Sequence, residues 1–385
     1  YLHKCFESKI KYGGEIMKKV LMLVFAFAFV MVLSACTQKT YELALVTDVG
    51  TIDDGSFNQG AWEGMKAYAE DNGISYKYYQ PASDSTDARV ATIELAIQNG
   101  ATTVVTPGYM FENAIWLVQN DHPDVNFIFL DGSPSNVASW DAEGNPVLLT
   151  GETAADFTVG DNVLPIFYKE QESGFLAGYA AVKDGYTELG FVGGMAVPAV
   201  VRFGYGYIQG AAYAAEELGL TTPVNINYWY ANTFGPSDAV SARATSWYNT
   251  GTEVIFAAAG GAGSSVMSAA EQSTGGKVIG VDVDQKAASP TTVITSAMKE
   301  LANSVYAALE SIYDGTFEGG TAWNLGVNDE GVGLPQDFAA FTTFNQTQYD
   351  AIFALLVDGS VVVSGDITVA ADSFNSDYVN VTVVE

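Results

Sequence analysis

The sequence predicts an α/β protein made of two doubly wound parallel-sheet lobes joined by hinge crossings. Three observations carry that expectation. From Tyr41 onward short apolar runs alternate with helical patterns, the same alternation begins afresh at Glu188, and no low-complexity linker separates the two series. The strands are continuously apolar, which indicates sheets covered by helices on both faces.

In the first series residues 41–47 read as a strand. The helix expected over 58–72 places Ala61, Met65, Tyr68 and Ala69 on one side. A second strand is expected over 74–79. The helix over 86–98 follows, with Val90, Ile93, Ala96 and Ile97 on one face. The strand 102–106, the helix 110–120 and the strand 125–130 complete the series. Residues 162–181 lie between the two series and are expected to pass from one lobe to the other. In the second series strands at 188–193, 224–229, 253–258 and 277–281 alternate with helices near 200–218, 237–249 and 264–272. A further passage follows Val281, then a strand over 293–295 and a long helix over 296–313. A glycine-rich strip (315–320 and 331–333) precedes a polar-aromatic end. The expected lobes are therefore 36–160 with 286–325, and 161–285 with 326–385.

Upstream of these elements, Met17-Lys18-Lys19 precedes an apolar run over 20–32 and then Leu33-Ser34-Ala35-Cys36. The run is too short to span a bilayer comfortably and ends in small residues, so it reads as a cleaved signal over 17–35. Cys36 is expected to be diacylated and to begin the mature chain, because two acyl chains hold a protein stably where one does not. That places the globular part outside the cytoplasm, on the outer face of a membrane and held there by lipid alone. Residues 1–16 read as a mis-annotated upstream extension, since Gly13-Gly14-Glu15 is what a purine-rich ribosome-binding sequence yields when translated.

Five of the 16 basic residues and two of the 45 acidic ones precede Cys36, which leaves 11 against 43 and a formal net charge of −32. Such a surface repels nucleic acid and anionic lipid, and excludes both as partners. The only cysteines are Cys5 and Cys36, so no disulfide or thiol-based metal site is expected in the globular part. His122, before Pro123, reads as a surface turn residue and leaves Ser-His or Cys-His catalysis a single imidazole. A monomer that is not an enzyme, without metal or cofactor, is the expectation.

Ligands of open α/β sheets bind beyond the carboxyl ends of the strands. After the first strand those positions hold Asp48 through Asn58. A phosphate-binding turn there would be glycine-rich and free of carboxylates, whereas this loop carries Asp48, Asp53 and Asp54. Carboxylates accept hydrogen bonds from polyols, amines and base N–H groups, and Phe57 and Phe234 offer flat apolar faces. That mixture suits a neutral, hydroxyl-rich ligand with a planar part, enclosed between two hinged lobes. Asp48 and Asp131 read as binding residues, while Asp53, Asp54 and Ser56 read as turn formers or caps of the following helix. The cluster Gly260–Gly263 could hold phosphate, allow tight packing, or let backbone N–H groups reach a hydroxyl.

Five blocks in order, Asp48-Val-Gly-Thr-Ile-Asp-Asp-Gly-Ser-Phe-Asn-Gln, Gly174-Phe-Leu-Ala-Gly-Tyr-Ala-Ala, Gly190-Phe-Val-Gly-Gly-Met, Ala258-Ala-Gly-Gly-Ala-Gly and Gly280-Val-Asp-Val-Asp-Gln, resemble the basic membrane protein family of lipoproteins. The resemblance runs from about Tyr41 to Gly365. It implies a type I periplasmic-binding-protein fold with three interlobe crossings, and a substrate-binding role beside the permease and ATPase subunits of an ABC transporter. Characterised members of the family are purine nucleoside receptors, so the resemblance implies a nucleoside between the lobes, its base sandwiched by Phe57 and Phe234. Phe203 is the alternative second ring, because Asn232-Thr-Phe-Gly-Pro-Ser-Asp departs from the usual wording. Base-edge contacts are implied for Asp48, Asn58 and Asp131, and ribose contacts for the Gly260-Gly261 backbone, Asp282 and Lys299. Asp282 and Lys299 are expected on opposite sides of a crossing, the lysine on a helix, so that only closure would bring both onto one ligand. Two alternatives stand beside this reading: a sensory nucleoside-binding lipoprotein and a sugar receptor of the same fold. A nucleoside hydrolase with Ca²⁺ at Asp53-Asp54 is disfavoured, because Phe57 and Asn58 follow too closely for a metal loop.

Overall fold

In the computed structural model, which describes residues 40–141 and 144–384, each strand series forms its own sheet. Residues 1–39, which include the expected signal and Cys36, lie outside the described residues. In the first series β1 (Leu43–Val46), β2 (Tyr76–Tyr79), β3 (Thr103–Pro107) and β4 (Asn126–Leu130) alternate with α1 (Phe57–Asn72), α2 (Thr86–Gln98) and α3 (Glu112–Val118). A small antiparallel hairpin, β5 (Val137–Trp140) and β6 (Pro146–Leu148), leads to a fifth parallel strand, β7 (Val163–Tyr168). The second series runs α4 (Glu170–Lys183), β8 (Glu188–Gly193), α5 (Pro198–Leu218), β9 (Val224–Tyr230), α6 (Asp238–Asn249), β10 (Val254–Ala258), α7 (Gly263–Gln272), β11 (Lys277–Asp282) and β12 (Val293–Lys299). Then come α8 (Leu301–Asp314), β13 (Trp323–Leu325), β14 (Val332–Gly333), α9 (Gln346–Val357) and β15 (Val379–Val383).

The sheet orders are β13-β7-β4-β3-β1-β2 and β14-β12-β11-β10-β8-β9-β15. Within each, the first five strands follow the order 2-1-3-4-5, so the two lobes are topological copies. The fifth strand of each copy runs straight into a helix of the other lobe. After β7 the chain passes at Lys169 into α4, which packs on α5 and β12. After β12 it passes at Glu300 into α8, which packs on α1. A third passage, 326–331, joins β13 of the first sheet to β14 of the second.

These sheet assignments move two expected boundaries, from 160/161 to Lys169 and from 285/286 to Glu300. The stretch read as a crossing, 162–181, is a strand followed by a helix. Pro165 interrupts the run as a strand signal, yet β13 joins β7 only from Ile166 onward, so its missing N–H costs little of the ladder. Residues 296–299 likewise belong to a strand rather than to a helix. Ser296, Ala297 and Met298 pair with Gly280, Val281 and Asp282 of β11, and that ladder outweighs their local helical spacing. The hairpin, α9 and β15 were not expected at all.

Two local features brace the cleft. Asp54 starts α1 by accepting from the N–H groups of Ser56 (2.8 Å), Asn58 (3.1 Å) and Gln59 (3.1 Å). Helices α4 and α5 lie backbone against backbone. A Cβ added at Gly174, Gly178, Gly206 or Gly210 would collide with a carbonyl of the facing helix.

Candidate functional site

The carboxyl ends of β1, β3 and β4 in one lobe and of β9, β10, β11 and β12 in the other face a single cavity of about 460 Å³. Such a volume is in the range of small-molecule sites. Asp48, Phe57, Asn58, Asp131, Phe203, Phe234, Gly260, Gly261, Asp282 and Lys299 all line it. Every residue expected from the sequence to contact the ligand therefore lines one cavity, and His122 is elsewhere, paired with Glu94 at 2.7 Å.

Asp48 continues from β1. Its Oδ1 accepts from Gly50 N (2.7 Å) and Asn58 Nδ2 (2.9 Å), and its Oδ2 faces Gly108. Gly108 has φ +110° and no Cβ to crowd that oxygen, so a side chain there would be strained and would press on Asp48. Burial pushes the Asp48 carboxyl up, against the hydrogen bonds from Gly50 and Asn58. The Asn58 amide nitrogen is spent on Asp48 and on Asp54 Oδ2 (2.9 Å). In this arrangement it orients Asp48 and has no spare donor.

Asp131 and Asp282 occupy equivalent strand ends in the two lobes, and both have left-handed backbone, φ 59° and 67°. For a non-glycine residue that conformation costs roughly 1–3 kcal/mol and concentrates at functional sites. Asp282 Oδ2 accepts from Ser56 Oγ at 2.5 Å, a direct bond between the lobes, and Gln285 Nε2 adds another to Gly55 O at 2.8 Å. Ser56, expected as a cap, thus reaches across the cleft. Capping falls to Asp54, as expected of that residue. Burial pushes the Asp282 carboxyl up, while Lys299 and Ser56 pull it down.

Lys299 closes β12 with its ammonium buried. It hydrogen-bonds Asp131 Oδ2 and lies 3.0 Å from Glu170 Oε1, off the hydrogen-bonding direction. Burial alone would lower its pKa, but Asp131, Glu170 and Asp282 outweigh that and raise it. Asp282 and Lys299 sit on neighbouring strands of one sheet, β11 and β12. The expectation that closure alone unites them is therefore incorrect. The partner delivered by the other lobe is Asp131. Burial pushes the Asp131 carboxyl up to about 6, Lys299 opposing and Glu170 and Asp282 adding to the rise.

The aromatic candidates differ in setting. Phe57 is half-buried at the head of α1, its ring 5.0 Å from the Lys299 ammonium. Phe234 is half-buried in the loop after β9, where its ring covers Gly194 and its carbonyl accepts from Ala262 N at 2.9 Å. Phe203 is 2% exposed and meets Phe256 edge-on at 5.8 Å, so it is a core ring with one side on the cavity. Sequence reasoning gave no role to Tyr109 after the third strand, and missed 197–200, which also line the cavity, and the buried pair Glu170–Arg202 behind Lys299. The signal for that pair was present: Arg202 is one of only three arginines, set in an apolar helix.

Comparison with known proteins agrees with this architecture. The family described as ABC transporter substrate-binding protein PnrA-like matches residues 41–354, and the chain belongs to that family. It is 28% identical over 357 residues to the ABC transporter nucleoside-binding protein BmpA of Lactococcus lactis, covering 84% of this chain and 93% of that one. It is 28% identical over 328 residues to basic membrane protein B of Borreliella burgdorferi, covering 82% and 89%. Among solved structures, an ABC transporter solute-binding protein from Aeropyrum pernix superposes with a TM-score of 0.68 at 21% identity, over 85% of this chain and 94% of that one. The fold is that of the type I periplasmic-binding proteins, and the family is one of transport receptors rather than enzymes.

Proposed function

We propose that this ABC transporter substrate-binding protein captures a nucleoside, with preference for purines, and delivers it to permease and ATPase subunits. The observation that carries the reading is the cavity itself: two half-buried phenylalanines, one from each lobe, beside carboxylates from both. A flat base fits against the rings, and a diol or base N–H donates to Asp48, Asp131 or Asp282. Among the described residues Lys299 is the only basic one lining the cavity, and it already faces three carboxylates, so a neutral ligand is favoured over a phosphorylated one. The name of the Lactococcus lactis relative supports the same ligand class.

In this reading the protein works as a monomer outside the cytoplasm, tethered through diacylated Cys36. Mass spectrometry of what copurifies with the chain tests the ligand, followed by calorimetry across nucleosides and sugars. A purine nucleoside is the expected finding, and a sugar alone refutes it. Fatty-acid labelling tests the tether: it is expected on the wild-type chain and absent from Cys36→Ala, and labelling that persists refutes it.

A further inference from the structure

Glu170 does not line the cavity, yet it touches Lys299, a basic residue that does. It is fully buried at the first position of α4, just after the Lys169 passage, while Lys299 is the last residue before the Glu300 passage. Arg202 Nε, from α5, donates to Glu170 Oε2 at 2.5 Å, and Lys299 Nζ stands 3.0 Å from Oε1. The directed bond of Lys299 goes instead to Asp131 Oδ2, and Asp131 Oδ1 is buried without a partner among the described residues. Thus one carboxylate is shared by two cations, and the other, on a residue of the cavity wall, keeps a buried acceptor unused.

We infer that Glu170, held by Arg202, is a positioning residue: it supplies the fixed counter-charge of Lys299 and leaves Asp131 Oδ1 free to accept a hydrogen bond from the ligand. Without a second anion the whole attraction of the buried ammonium would fall on Asp131 and compete with a ligand for its oxygens. A second, permanent anion divides that attraction. Burial pushes Glu170 up, but Lys299 and Arg202 outweigh burial and leave it below the ordinary range, so it stays charged. Asp131 faces Lys299, Glu170, Asp282 and the Tyr168 hydroxyl, and its carboxyl rises instead.

This inference rests on the ligand site proposed above, so its test has one arm with ligand and one without. With guanosine as the probe, calorimetry compares Glu170→Gln in the wild-type and Lys299→Met backgrounds. Acting through Lys299, the change is expected to weaken binding roughly tenfold in the first and to add nothing in the second. Should Glu170→Gln fail to fold, Arg202→Gln replaces it, and Arg202→Lys is expected to restore binding. In ligand-free protein, carboxylate ¹³C titration of Asp131, assigned by its loss in Asp131→Asn, is expected to move to lower pH in Glu170→Gln, because the repulsion from Glu170 is gone. Equal losses in both backgrounds, or an unmoved Asp131 midpoint, overturn the inference. If the wild-type chain ignores guanosine, the ligand reading fails and the Asp131 titration alone decides the positioning role.

Discussion

Replacing Phe234 with alanine isolates the second face of the proposed clamp. The ring is half-buried, seated over Gly194 and close to Gly260, and the loop bearing it is held independently by Ala262 N on the Phe234 carbonyl. Truncation therefore removes a flat surface from the cavity while leaving the backbone anchored. Stacking against an aromatic side chain contributes about 1–3 kcal/mol per base, a loss of roughly 5- to 150-fold in affinity. Phe203 supplies the internal control. It is 2% exposed and wedged on Phe256, so Phe203→Ala should cost about 3–5 kcal/mol of stability as a core cavity. Isothermal calorimetry with guanosine and denaturant unfolding on both variants separate the two effects. Phe234→Ala should lose affinity with a smaller loss of stability than Phe203→Ala, and Phe203→Ala should lose stability first. Wild-type affinity in Phe234→Ala, or a Phe203→Ala that loses affinity alone, refutes the assignment of the second ring.

If Asp282 receives ribose hydroxyls, 2′-deoxyguanosine should bind at least about tenfold more weakly than guanosine, and Asp282→Asn should shrink that ratio; equal calorimetric affinities for both ligands refute the contact. The raised carboxyl of Asp131 gives affinity and stability opposite pH dependences. Its ionised form serves the ligand, so affinity should fall as pH drops through about 6. The folded state binds its proton more tightly than the unfolded chain does, so this group's effect on stability falls as pH rises from about 4 to 6. Asp131→Asn should flatten both trends, and an acid limb of binding unchanged in that variant refutes the assignment. Gly178→Val should lower unfolding stability by about 1–3 kcal/mol or more, because its side chain would meet the Tyr207 carbonyl across the α4–α5 contact; urea midpoints equal to wild type would refute that packing.

Much of the architecture was legible because parallel strands buried on both faces leave continuous apolar runs. Nine of those runs were assigned close to where they lie, from β1 to β4 and from β8 to β12. The strands that escaped were of another kind. β7 carries Pro165, the hairpin β5–β6 is short and largely exposed, β13 and β14 are only three and two residues long, and β15 completes an edge after a long irregular stretch. The candidate site was legible for a related reason. Strand ends of a doubly wound sheet face a shared crevice, so naming the residue after each strand names the wall of the cavity.

The sequence alone determined the two-lobed alternation, the carboxylate-rich and phosphate-poor character of the first loop, and many of the side chains that line the cavity. It could not determine which lobe each one belongs to. That depends on whether 296–299 pairs with Gly280, Val281 and Asp282 or begins a helix, a choice made by a ladder with residues distant in the chain. Only the tertiary structure placed Lys299 beside Asp282 on one sheet, brought Asp131 and Ser56 to them from the other, and set Glu170 and Arg202 behind. The physical reason is that a buried charge is governed by neighbours remote in sequence. Local pattern reports which groups are polar; the packing of the two lobes decides which of them face one another without water between.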